Sequence, residues 1–293
     1  MRTGTARCKD VDLVYEDWGD ESAPPLVLIM GLGAQMVLWP DGFCQRLVEH
    51  GFRVIRFDNR DAGLSSRVNK PFTTPRWKLF ARAQLGLRSP TPYSLTDMAD
   101  DVAQLMEALG LGAAHIVGAS MGGMIAQIFA ANYPDKVTAL TILFSSTNQP
   151  LLPPPAPSVF LKLIAAPPKG ASDDELARRQ RELIRAISSP AHPMPEEELD
   201  ALVRLQIARG ADAKATARQF AAILGTGDLR RYCKRVKAPT VVIHGLADKL
   251  VRPAGGKAIS RAIAGARLHL VKDMAHDLPR ALWPQIIQGI TER

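Results

Sequence analysis

Ala114-His115-Ile116-Val117-Gly118-Ala119-Ser120-Met121-Gly122-Gly123 is the stretch from which the architecture of this chain follows. The run Ala114 to Val117 has the short, β-branched character of a buried strand, and from Met121 to Tyr133 an apolar helical pattern continues until Pro134 stops it. Ser120 therefore sits on a sharp turn between a strand and a helix. Small residues two positions either side, Gly118 and Gly122, relieve the clashes that such a turn creates. The bare G-x-S-x-G pattern is weak alone. Placed between a strand and a helix it reads as a nucleophile elbow, with the helix N-terminus directing amide dipoles at any anion formed beside Ser120.

Working outward, short apolar runs alternate with helical segments. Val11 to Asp17 alternates as an early strand, while Leu26 to Met30, Arg53 to Phe57, Val137 to Phe144, Thr240 to His244 and Ala266 to Val271 are nearly continuous. Continuous runs predict strands buried on both faces of a parallel sheet. Helices are predicted over Asp41 to His50, closing at Gly51, and Leu95 to Leu109, closing at Gly110. Ser94 caps the latter through the amide of Thr96 or Asp97. After Phe144 the alternation stops. Gln149 to Pro157 is proline-dense, and helical patterns rich in Arg, Glu, Leu and Ala run to about Arg235. The expected organisation is an α/β core, 1–145 and 236–293, interrupted by a helical cap over 146–235.

A serine hydroxyl is a poor nucleophile without a base to take its proton and an acid to orient that base. Of the six histidines, His276 alone lies on a loop just past a terminal strand, in Lys272-Asp273-Met274-Ala275-His276-Asp277. That loop falls at the carboxyl edge of a parallel sheet, where Ser120 also emerges. His50, His115, His192, His244 and His269 read as structural. Asp248, in Gly245-Leu246-Ala247-Asp248 after the strand ending at His244, falls at the same edge and ranks above Asp273 and Asp277, which flank the histidine too closely. The chain order Ser120, Asp248, His276 is the one expected for a serine hydrolase of this architecture. The oxyanion donors are expected to be the amides of Met121 and of Leu32, the latter in Met30-Gly31-Leu32-Gly33.

Composition excludes much else. The chain has 293 residues, 46% of them hydrophobic and 23% charged, enough to bury a large core and unlike a disordered or collagenous chain. Three cysteines, Cys8, Cys44 and Cys233, form neither a disulfide framework nor a zinc site and point to a reducing, cytoplasmic compartment. Met1 to Asp10 lacks the apolar centre of a signal peptide, and no apolar run approaches the roughly 20 residues of a membrane span. Net charge is +8 without a basic tail. The densest patch, Arg67 to Pro90, carries Arg67, Lys70, Arg76, Lys78, Arg82 and Arg88 with no acid, and reads as a solvated face rather than a nucleic-acid or membrane surface. Within it, Pro75 to Leu85 places Trp77, Phe80, Ala81 and Leu85 on one helical face expected to pack beside the cap. Leu151, Leu152, Val159, Phe160, Leu161 and Leu163 are expected to fill the cap or line an acyl pocket.

Beside the elbow, Asp58-Asn59-Arg60-Asp61-Ala62-Gly63-Leu64-Ser65 resembles the D-x-R-x-x-G-x-S turn of the α/β-hydrolase superfamily. With Met30-Gly31-Leu32-Gly33 and Trp39-Pro40, the chain looks most like small serine esterases of the aclacinomycin-methylesterase type, over nearly its whole length. The resemblance implies a lidded serine esterase, with the triad already reached from the residues. The expected reaction is hydrolysis of a small-molecule ester through an acyl-enzyme, needing neither metal nor organic cofactor, with no nucleic acid or membrane insertion involved. A lactonase, thioesterase, C–C hydrolase or cofactor-free perhydrolase would use the same residues, and a non-catalytic binding protein would keep the fold. Oligomeric state has no readable signal.

Overall fold

The computed structural model describes residues 1–70, 74–164 and 170–292. Its eight strands are β1 (Arg2–Arg7), β2 (Asp12–Trp18), β3 (Pro25–Ile29), β4 (Arg53–Phe57), β5 (Ala114–Ala119), β6 (Val137–Leu143), β7 (Thr240–Gly245) and β8 (Arg267–Val271). They form one sheet in the order β1-β2-β4-β3-β5-β6-β7-β8, with β1 and β2 antiparallel to their neighbours and all other pairs parallel. The chain steps from β3 to β4 on one side and returns to β5 on the other. The carboxyl ends of β3 and β5 are therefore the switch point where a crevice opens in such sheets.

Of the core helices, α1 (Asp41–Glu49) joins β3 to β4, and α2 (Arg76–Gln84) and α3 (Leu95–Ala108) follow β4. The helix after the elbow is α4 (Met121–Asn132). Between β6 and β7 come α5 (Pro157–Ile164), α6 (Asp173–Ile187), α7 (Glu196–Ala208), α8 (Ala213–Thr226) and α9 (Arg230–Cys233); α10 (Ala254–Ala262) and α11 (Trp283–Thr291) complete the chain. Strand β3 shows why continuous runs form buried strands. Val27 and Ile29 pack with α3 and α4 on one face, and Leu26 and Leu28 with Phe43 and Leu47 of α1 and Ile286 of α11 on the other.

Several expectations change. The polar segment Arg2–Arg7 is a strand, held by pairing along β2 although only Ala6 is buried. Strand β8 lies at the sheet edge with most of its residues partly or fully exposed, so its apolar run does not mean burial on both faces. Ser94 forms a reciprocal capping box: its Oγ accepts from the Asp97 amide at 3.3 Å and its own amide donates to Asp97 Oδ2 at 2.6 Å. In α2 the buried stripe is Leu79 with Ala83, packed on Ala221 and Leu224 of α8, while Trp77, Phe80 and Leu85 face solvent. Both stripes are apolar in sequence, and the contact with α8 decides between them. Val159 is fully buried, but Leu151, Phe160 and Leu161 are exposed and line no interior. The side chain of Arg76 lies outside the described residues. Cys44 and Cys233 are buried, and burial pushes each thiol up to about 12, the behaviour of inert core residues.

Candidate active site

Ser120 follows β5 directly and carries φ 56° and ψ −120°, a left-handed conformation that L-residues avoid at a cost of order 1–3 kcal/mol. Its neighbours hold it there. The Ser120 amide donates to Leu143 O at 3.0 Å, and Ser145 Oγ donates to Ser120 O at 2.6 Å. At Gly122 a Cβ would stand 2.0 Å from Ile29 O, so glycine is required for α4 to start against the end of β3. That close approach brings Ser120 beside the loop after β3: a Cβ on Gly31 would lie 3.5 Å from Ser120 Oγ. The amides of Leu32 and Met121 have no backbone or side-chain acceptor among the described residues.

His276 and Asp248 meet at the same edge. Gly245, ending β7, lies so close to the loop after β8 that a Cβ there would stand 2.2 Å from Met274 O. Asp248 Oδ2 accepts from His276 Nδ1 at 2.8 Å, while its Oδ1 accepts from the Leu250 and Val251 amides at 2.8 and 2.9 Å. Burial disfavours the Asp248 charge, but His276 and the hydrogen bonds from His244 and His276 outweigh it and hold the carboxyl well below the usual carboxylate range. With Nδ1 donating to a carboxylate, the proton of the neutral ring is on Nδ1 and the lone pair is on Nε2. The Phe144 ring packs against His276 with centroids 4.7 Å apart, and Phe144 follows Leu143, the residue bonded to the Ser120 amide.

Three residues matter here that sequence reasoning passed over. His244, read as part of a strand, puts Nε2 2.7 Å from Val251 O and 3.4 Å from Asp248 Oδ2; the carbonyl accepts, so His244 carries its proton on Nε2. Ser189, at the end of the segment carrying α6, accepts from the Ala275 amide at 2.8 Å and donates its own amide to Asp277 Oδ1 at 3.1 Å, while the His276 amide donates to Ile187 O at 3.0 Å. Asp277 thus anchors the histidine loop to α6. Burial raises its carboxyl above the usual range against the opposing hydrogen bonds from Ser189.

Gln219 of α8 is the third. It is fully buried, with Oε1 accepting the Gly33 amide at 2.7 Å and Nε2 donating to Arg60 O at 2.8 Å. The D-x-R-x-x-G-x-S turn is a platform for α8 and for the end of α7: Arg218 of α8 donates to both oxygens of Asp61 at 2.7 and 2.9 Å, and Arg209, just past α7, donates to Asp58 Oδ2 at 2.7 Å. From the same turn Asn59 Nδ2 donates to Met30 O at 2.9 Å, and Asp58 Oδ1 accepts the Met36 amide at 2.7 Å. Helix α8 thus holds the loop that carries Leu32 at Gly33 through Gln219, while the turn holds it at Met30 and Met36. A glutamine inside an apolar helical stripe was the visible signal, but its partners are 159 and 186 residues away in sequence.

Residues 24–279 match the α/β hydrolase fold family. The chain belongs to that family. One relative is the protein named rhodomycin D methylesterase DnrP from Streptomyces peucetius, 26% identical over 96% of this chain and 94% of its own length. Another, from Acinetobacter calcoaceticus and named bifunctional esterase/perhydrolase DCH, is 26% identical over 94% of both chains. The α/β hydrolase architecture also matches the crystal structure of the enol-lactonase from Burkholderia xenovorans LB400, with a TM-score of 0.72, 22% identity and coverage of 99% of this chain and 100% of that one. Within the family, the methylesterase relatives agree with the resemblance carried by Met30 to Gly33 and the Asp58 to Ser65 turn. No helix among the described residues is long and apolar enough to cross a membrane.

Proposed function

We propose that this α/β hydrolase cleaves carboxylic esters of small to medium, largely apolar molecules through an acyl-enzyme on Ser120. The observation that carries this reading is the 2.8 Å bond from His276 Nδ1 to a buried, ionised Asp248, at the sheet edge where the elbow presents Ser120. His276 Nε2 takes the hydroxyl proton as Ser120 Oγ bonds to the ester carbonyl carbon. The oxyanion forms beside the Leu32 and Met121 amides. Collapse breaks the bond to the alcohol oxygen, which leaves with the proton from His276. Water then attacks the acyl-enzyme by the same route, its proton passing through His276 to Ser120, and the acid is released.

The segment 146–235 acts as the cap in this reading, roofing the crevice from α6, α7 and α8. Esterase-named relatives at 26% identity support ester chemistry, and the perhydrolase activity in one relative's name is available to the same nucleophile. Steady-state hydrolysis of p-nitrophenyl esters from acetyl to dodecanoyl is the direct test. Multiple turnovers with a maximum at one acyl length are expected. A protein that releases neither steady product nor a stoichiometric burst across the series, and opens no lactone, is not a serine hydrolase of this kind.

Gln219 offers a finer test of the donor loop. Gln219→Met keeps the side chain's length but removes both polar atoms, freeing the Gly33 amide beside Leu32. Misplacing an oxyanion donor by a fraction of an ångström is expected to lower kcat by roughly tenfold or more. KM should stay nearly unchanged, because Gln219 is buried under the loop, away from solvent and substrate. Gln219→Glu keeps an acceptor for the Gly33 amide and should fall between the two. Equal kcat in all three would show that the loop holds its shape without this bond.

A further inference from the structure

The basic stretch Arg67 to Pro90 contains a feature that solvation does not explain. Trp77 is 73% exposed, Phe80 48%, Leu85 72% and Leu87 45%, and they alternate with Lys78, Arg82 and Arg88. On α2 the buried Leu79 faces α8, so Trp77 and Phe80 point away from the protein with Lys78 on their flank. The apolar surface continues across a chain crossing: a Cβ on Gly86 would lie 3.6 Å from Pro150 Cγ, and the next residue, Leu151, is 90% exposed.

Where the apolar part ends, a cationic cleft begins. Arg88, directly after Leu87, reaches Tyr232 Oη at 3.4 Å, and Arg231 and Arg235 lie 4.6 and 5.4 Å from the same ring's centroid. Together with Asn132 they line a concavity of about 450 Å³. Among the described residues no carboxylate pairs with Arg88, Arg231, Arg235, Lys78 or Arg82, and the nearby Asp228 is engaged by Arg230. Three guanidinium groups gathered round one phenol repel one another, and an anion in the cleft removes that cost.

We propose that this surface, formed by α2, the turn through Leu85 and Leu87, and the arginine cleft beside Tyr232, binds anionic lipid membranes peripherally. Trp77, Phe80, Leu85, Leu87 and Leu151 enter the headgroup boundary, and Arg88, Arg231 and Arg235 hold lipid phosphates. The aliphatic members decide against nucleic acid. Leu85, Leu87 and Leu151 offer no face on which a base can stack. A second copy of the chain fits poorly, since each carries a net charge of +8 and the arginines would oppose one another. Membrane binding goes beyond the esterase reading and does not depend on it. Because α2 packs on α8, adsorption would hold the cap region near the lipid surface.

The test is co-sedimentation of the full chain with vesicles of phosphatidylcholine alone and of phosphatidylcholine mixed with phosphatidylglycerol, at low and high salt. Binding to the mixed vesicles only, weakened by salt, is expected. The triple variant R88E/R231E/R235E should reduce partitioning by at least about tenfold. Trp77→Ala with Phe80→Ala should weaken binding that survives salt, and should remove quenching of tryptophan fluorescence by bromine-labelled lipid. These side chains are exposed or line an open cleft, and circular dichroism checks each variant's fold; the single variants Trp77→Ala and Arg231→Glu serve if a multiple variant unfolds. No phosphatidylglycerol-dependent binding, or binding that both variant sets leave unchanged, overturns the proposal. Full displacement from vesicles by a short DNA duplex that binds more tightly, with no effect of the Trp77 change, would also overturn it and assign the patch to nucleic acid.

Discussion

Ser120→Ala is expected to reduce ester hydrolysis by roughly 10⁴- to 10⁶-fold while leaving the protein as stable as the parent. The two halves of that expectation have separate origins. The rate falls because no other hydroxyl takes the elbow position: Ser145, the serine bonded to its backbone, already donates its Oγ hydrogen to the Ser120 carbonyl at 2.6 Å. What remains reflects binding and oxyanion stabilisation alone, acting on water as the nucleophile. Stability is preserved because the strained backbone at φ 56° is held by the Leu143 and Ser145 hydrogen bonds to main-chain atoms, which alanine retains. Parallel measurement of kcat and of the thermal midpoint checks both. A variant that folds and still turns over at more than about one hundredth of the parental rate would remove Ser120 from the mechanism.

Asp248→Asn is expected to cost about 10⁴-fold in kcat, with the protein still folded. Asp248 accepts three hydrogen bonds, from the Leu250 and Val251 amides on Oδ1 and from His276 on Oδ2, with His244 Nε2 3.4 Å from that same Oδ2. An asparagine must point its amino group at one of these donor sets. The two amides cannot reverse, but an imidazole can change tautomer, so the amino group faces His276 and the ring carries its proton on Nε2. A protonated Nε2 cannot accept the Ser120 hydrogen. The same substitution changes the pH dependence of stability. Because the folded carboxyl lies well below its unfolded value of about 3.9, it contributes stability fully above that pH and loses it as pH falls through the folded value. Urea midpoints should therefore separate the two proteins most near neutrality and converge in acid. A gap that widens below about pH 4 would contradict an ionised, stabilising Asp248.

The acid limb of the pH–rate profile carries a related expectation. With Asp248 held ionised well into acid, its carboxyl should add nothing to the limb of log kcat/KM between about pH 4 and neutrality, whose slope should not exceed one. A slope of two would mean that the carboxyl titrates in the same range.

What was legible in sequence was local or followed from chain direction. Gly118 to Gly122 between a strand run and a helix run carried the elbow, because the turn's steric demands fall on residues two positions away. Asp248 and His276 could be placed at the same edge because parallel strands all end on one side. The run of helices between β6 and β7 was signalled by the loss of alternation after Phe144. Three-dimensional packing decided the rest. Ser189 and Gln219 act through partners distant in sequence and His244 through the loop that follows its own strand, and a buried polar side chain does not disclose which carbonyl, amide or carboxylate it will meet. Both stripes of α2 are apolar, so it was the position of α8 that turned Leu79 inward and left Trp77 and Phe80 in water. Strand β8 carries Arg267 and His269 between its aliphatic residues and lies at the sheet edge, so it is half exposed where the interior strand β3 is buried.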